Sequence, residues 1–210
     1  MTEDVLSDLT RLRELAEQGR RTPLLGGRQM VIWGSASFLA TVIHASVVTK
    51  LLSVPLNSIA FVWFGLMGLA VLISRSGIGP IALPKPESAN ARIEAGVWQV
   101  GGSFLGLLAA TMVAAAFWRS SQSGSYAGFA TMGVMFPATF GVYAIALRAA
   151  GEAAQLPWLV RTSWWSFVFA GFSGLCVNTI WAFPVAAVGI FVAAILPGLK
   201  LIKIETAYHG

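Results

Sequence analysis

Residues 164–199 read WWSFVFAGFSGLCVNTIWAFPVAAVGIFVAAILPGL, a run without one charged side chain. As a single helix it would be about 54 Å long at 1.5 Å per residue, well beyond the roughly 30 Å of hydrocarbon in a bilayer. The stretch therefore reads as two membrane helices joined by a tight hairpin. The break falls between Asn178 and Pro184. Pro184 has no N–H for a helix interior but suits the first turn of the helix that follows.

Working outward, the apolar runs near 29–49, 57–74, 95–117 and 126–147 join spans near 159–181 and 184–202 to make six. Most approach the roughly 20 residues that a bilayer requires. Of the 210 residues 56% are apolar and 11% charged, against roughly 45–50% and 25% in soluble domains. A soluble fold could not cover that much apolar surface. The expected fold is an all-α, polytopic membrane helix bundle of six transmembrane helices over 29–203. It is flanked by a cytoplasmic segment, 1–28, and a cytoplasmic tail, 204–210.

Charge gives the orientation. With the N-terminus inside, Arg11, Arg13, Arg20, Arg21, Arg28, Arg75, Lys85, Arg92, Arg148, Arg161, Lys200 and Lys203 fall on the cytoplasmic side, and only Lys50 and Arg119 fall outside. The positive-inside rule then places both termini in the cytoplasm. Adding or dropping one helix would scramble the asymmetry, so the charges support the count of six independently of hydropathy. Trp33, Trp98, Trp158, Trp164 and Trp165 sit near inner helix ends, and Trp118 and Trp181 near outer ends, as interfacial anchors do. Trp63 lies deeper, and anchoring does not explain it.

The spans also read as three tandem helical hairpins, each opening on tryptophan and closing on Arg75, Arg148 or Lys200. Topology rules place tryptophan and bases at those positions anyway, so repetition and convergence both account for the pattern.

Ahead of the first span, Val5, Leu9, Leu12 and Ala16 recur at spacings of three and four among charged residues. Residues 3–18 thus read as an amphipathic helix, capped by Thr2 and stopped at Gly19. Met1–Arg28 carries five acids and five bases and no apolar core of signal-peptide length, so no cleavage is expected. The helix can pack beneath the bundle, lie on the lipid surface, or engage a protein partner in a groove.

Within the spans, small residues four apart mark helix-packing faces. Gly102 with Gly106, Gly133 and Gly141 around Pro137, and Ala170 with Gly174 are the candidates. A mid-span Pro137 would kink its helix. Chemistry-bearing residues are few. Glu94, Arg148, Glu152 and Arg161 lie near cytoplasmic helix ends, where they can pair among themselves or bind an anionic headgroup. His44 lies toward the outer end of the first span and reads either as a packed residue or as a proton sensor. His209 lies in the tail. Cys176 is the only cysteine, which rules out an internal disulfide and a cysteine metal cage.

No phosphate loop, nucleophile elbow, zinc motif or acid pair occurs. The sequence thus names no catalytic residue, metal site or cofactor, and it argues against an enzyme. The net charge of +5 is spread singly between apolar runs rather than clustered for nucleic acid. The partners expected are the lipid bilayer, a protein through residues 3–18, and further copies of the chain.

Three stretches carry a resemblance: Thr-Pro-Leu-Leu-Gly-Gly-Arg at 22–28, Val-Ile-Trp-Gly at 31–34 and Leu-Pro-Gly-Leu-Lys at 196–200. Together they resemble a family of small, uncharacterised bacterial six-helix membrane proteins. The resemblance implies bacterial origin and the cell inner membrane, and supplies no activity or ligand. The functional expectation is a non-enzymatic membrane protein acting through protein contacts, as an accessory or regulatory subunit. The alternatives are a transporter or channel, with Gln99, Ser103, Thr111 and Asn178 along its path, and an intramembrane enzyme.

Overall fold

The computed structural model describes residues 26–76, 89–124 and 132–209, which are helical throughout apart from short connections. The expected amphipathic helix at 3–18, with Val5, Leu9, Leu12 and Ala16, lies outside the described residues. In chain order the helices are α1 (Gly26–Val48), α2 (Ser58–Arg75), α3 (Ala89–Ser123), α4 (Met135–Ala153) and α5 (Pro157–Leu175). The last rod begins as α6 (Ala182–Ile190), passes through a π-turn (Phe191–Ile195) and ends as α7 (Leu196–His209). Four of the rods are long and apolar enough to cross a membrane: Gly26–Val48, Ser58–Arg75, Arg92–Ser123 and Ala182–Thr206.

Successive helices run up and down. Gly27 meets Leu201 and Gly34 meets Ala194, so α1 and the last rod are antiparallel. Gln29 reaches Ser74 and His44 reaches Trp63, which makes α1 and α2 antiparallel as well. Met30, Leu147, Ala150, Leu159 and Leu201 close one end of the bundle, and Val47, Ile59, Ala60 and Ala116 close the other. Between them, Phe136, Phe140, Phe183, Ala186 and Ile190 form the mid-bundle core.

Helix ends depart from the apolar runs in instructive ways. α3 extends from 95–117 to Ala89–Ser123, because Arg92, Glu94 and Gln122 are good helix formers and nothing there stops the helix. α4 runs on to Ala153, supported by the Arg148–Glu152 pair four residues apart at 2.9 Å. It ends in a Schellman turn: Leu156 N–H donates to Gly151 O, and Gln155 N–H to Glu152 O. Gln155 takes the left-handed position that glycine usually fills, with φ 54°.

The two prolines expected to matter behave differently. α5 stops at Leu175 and the next helix starts at Ala182, so the break lies where the uncharged run needed it, with Pro184 in a first turn. Pro137 is also in a first turn, the third residue of α4 after a short 3-10 turn at Met132–Val134. Its missing N–H is one that no helix would use there, so it starts the helix instead of kinking it. The distortion appears at Pro197, whose ring would crowd Ala193 O. The π-turn opens the ladder just before it, with Leu196 N–H donating to Phe191 O.

The most extensive helix–helix contact joins α4 to α5, across the boundary between two of the three expected hairpins. Ser163, Ser166 and Ser173 are fully buried on α5. Each donates its hydroxyl to a carbonyl three or four residues back, on Val160, Thr162 and Ala170. A small side chain that satisfies itself permits close packing in an apolar setting.

Candidate functional site

The antiparallel order gathers charge. Among the described residues, Arg28, Arg75, Arg92, Arg148, Arg161, Lys200 and Lys203 all adjoin the end closed by Met30, Leu147, Leu159 and Leu201, while Lys50 and Arg119 adjoin the other. Four helices furnish the polar framework at the basic end. Gln29 Oε1 accepts from both Trp33 Nε1 and Ser74 Oγ at 2.9 Å, tying α1 to α2. Lys200 Nζ lies 4.1 Å from the centre of the Trp158 ring, tying α7 to α5.

The four charged candidates do not form one site. Glu94 is 3% exposed and sits against the first residue of α1, where a Cβ on Gly26 would collide with its Oε1. A carboxylate there is favoured by the positive end of the helix dipole. Arg148 and Glu152 pair with each other on the exposed flank of α4, and Arg161 is exposed on α5. Glu94 therefore serves an internal helix end, and the surface pair is separate from it.

The glycine faces are rearranged relative to expectation. Among the described residues, Gly102, Gly106 and Gly141 have no atom within 4 Å of an added Cβ, while one on Gly133 would stand 3.9 Å from Ala182 and one on Gly174 3.9 Å from Pro137. The tight crossing is elsewhere, where an added Cβ on Gly27 would stand 3.1 Å from Gly198 O and one on Gly198 2.8 Å from Gly27 O. Two glycines far apart in the chain thus bring α1 and α7 together backbone to backbone. Sequence spacing held a signal for this: Gly27 and Gly34 share a face two turns apart, and Ala194 and Gly198 are four apart.

His44 and Trp63 were also separate in the sequence and are brought together here. His44 is 1% exposed, and its Nδ1 accepts the Trp63 indole N–H at 3.3 Å. The depth of Trp63 is explained by this bond. Gln99, Ser103 and Thr111 are exposed on α3 and line no internal path. Among the described residues no cluster of three or more His, Cys, Asp or Glu could hold a metal. No family model, curated protein or solved structure matches the chain.

Proposed function

We propose that the chain is a non-enzymatic, six-span membrane protein of a bacterial inner membrane, with both termini cytoplasmic, acting through protein contacts as an accessory or regulatory subunit. α4 and α5, each 19 residues long, supply the two spans beyond the four apolar ones. Pairing with the rest of the bundle offsets their polar content. Among the described residues, seven bases at one end and two at the other support the orientation.

The observation that carries the protein-contact reading is α3. Only 6% of its membrane-length window is buried, and Gly96, Gly102 and Gly106 stand on it with nothing against them. Small residues on a membrane helix promote close approach of another helix, and no helix among the described residues uses them. Residues 3–18 add a second contact segment on the cytoplasmic side.

The test is mass spectrometry of what co-purifies in mild detergent, comparing the full chain, a chain lacking residues 2–21, and Gly102→Leu/Gly106→Leu. A stoichiometric partner lost in either variant supports the reading, and lipid alone in all three counts against it. A homo-oligomeric channel is the second reading. It is favoured by Gln99, Ser103 and Thr111 lying at four- and eight-residue spacings on that exposed helix. Flux in proteoliposomes indistinguishable from empty vesicles would remove it.

A further inference from the structure

His44 joins three helices near the end of the bundle opposite the basic rim. It stands four residues, about 6 Å, before the end of α1. Trp63 of α2 donates to its Nδ1, and Phe183 of α6 meets its ring edge-on with centroids 4.8 Å apart. An indole N–H can only donate, so Nδ1 holds a lone pair and the neutral ring carries its proton on Nε2. That Nε2 is buried and has no hydrogen-bond partner.

A bare buried donor costs about 1–3 kcal/mol. Trapped water does not account for it, since a buried water needs two to four polar partners. Trp63 and Phe183 belong instead to the apolar cluster of Phe136, Phe140, Ala182 and Ala186. Thr41, one turn back on the same face, donates its hydroxyl to Ser37 O at 2.8 Å, and its oxygen makes no hydrogen bond with Nε2. The closed arrangement therefore holds an uncompensated donor, and a modest push opens it.

A proton is such a push. Transfer from water to Nδ1 makes both ring nitrogens donors, sets Nδ1–H against the indole N–H, and leaves a cation among apolar rings. No charged group faces the ring from the elements packed against it, among the described residues. Arg28 on α1 and Arg75 on α2 lie at the far end, as do Arg148 and Glu152 on α4, which approaches through Phe136. α6 carries no charge, Lys50 lies exposed beyond the end of α1, and Arg119 of α3, which joins the same apolar cluster as Trp63 through Met112 and Val113, is exposed at the same end.

We propose that His44, Trp63 and Phe183 form a proton-operated latch that holds the ends of α1, α2 and α6 together while His44 is neutral and releases them when it is protonated. Only its assignment to the outer face rests on the orientation given above. In nanodiscs both faces meet the same pH, so the latch is tested separately from topology.

The chain has two histidines, and His209→Gln leaves His44 as the sole imidazole. Its ring nitrogens are followed by 15N NMR from about pH 8 to about pH 3.5, together with the indole N–H of Trp63. In parallel, alkylation of native Cys176, which packs against the same cluster, is compared with that in His44→Gln at each pH. Glutamine can accept the indole N–H but cannot take the proton, and the ratio of the two rates cancels thiol ionisation. The expected result is protonation of Nδ1 in the folded protein, loss of the bonded indole signal, and a several-fold rise in that ratio at low pH. A ring that stays unprotonated until unfolding overturns the latch, as does protonation with the indole signal or the ratio unchanged. Should His44→Gln not fold, the paired imidazole and indole signals decide alone.

Discussion

Adding one methyl group at Gly27 tests whether the α1–α7 crossing holds the bundle together. A Cβ there would stand 2.8 Å from Leu201 Cβ, 3.0 Å from Ile202 N and 3.1 Å from Gly198 O. Ordinary contact begins near 3.4 Å, so α1 must retreat by about half an ångström from backbone that cannot rotate away. Overpacking of this kind costs about 1–3 kcal/mol, against about 1 kcal/mol gained in helix propensity. Gly27→Ala is thus expected to lose up to about 2 kcal/mol, and to lie about 1–3 kcal/mol below a glycine-to-alanine change that meets no overpacking. Gly198→Ala should behave alike, its Cβ falling 2.8 Å from Gly27 O and 2.9 Å from Val31 Cγ2. Because both methyls enter one gap, the double variant should lose less than the two single losses together, by at least about 0.5 kcal/mol. Gly102→Ala, facing open space, retains only the propensity gain. Reversible unfolding by increasing SDS fraction in mixed micelles, followed by circular dichroism, measures all four. Equal midpoints for Gly27→Ala and Gly102→Ala, or strict additivity in the double variant, would refute the crossing.

Three further outcomes are expected. Gln155→Gly relieves a left-handed residue at the Schellman turn and should stabilise the same unfolding transition by about 0.5–1 kcal/mol. Lys200→Met removes the cation over Trp158 and should cost about 0.5–1 kcal/mol, with loss of the environmental shift in a site-specific Trp158 indole NMR signal. Exchanging Arg148 and Glu152, 46% and 61% exposed, should move stability by less than about 0.5 kcal/mol. A larger loss in a salt titration of that variant would show that the pair has an additional partner.

Much of the architecture is legible in local chemistry. Hydropathy is read residue by residue, so the uncharged run at 164–199 demands a break wherever the chain sits. The connection from Cys176 to Trp181 overlaps the expected interval of Asn178 to Pro184 and begins two residues before it. Helix ends are less legible, because an apolar run measures depth in the membrane and α3 and α4 continue as polar helix beyond it. Pro137 shows the same limit: its effect depends on where the helix begins, which apolar counting misplaces.

Faces are the harder case. Spacing alone determines that Gly102 and Gly106 share a side of α3, and that Gly27 and Gly34 share a side of α1. Which side meets another backbone is a long-range fact, settled by the crossing of α1 with the last rod. The same holds for His44 and Trp63, whose bond depends on the register of two antiparallel helices. Sequence by itself therefore determined the long apolar helices, the charge asymmetry and the uncharged run, since each follows from the cost of placing a side chain in hydrocarbon. Only the tertiary structure decided which glycines are packed, where Glu94 is buried and what His44 touches, because contacts between distant residues follow from how whole helix surfaces fit together.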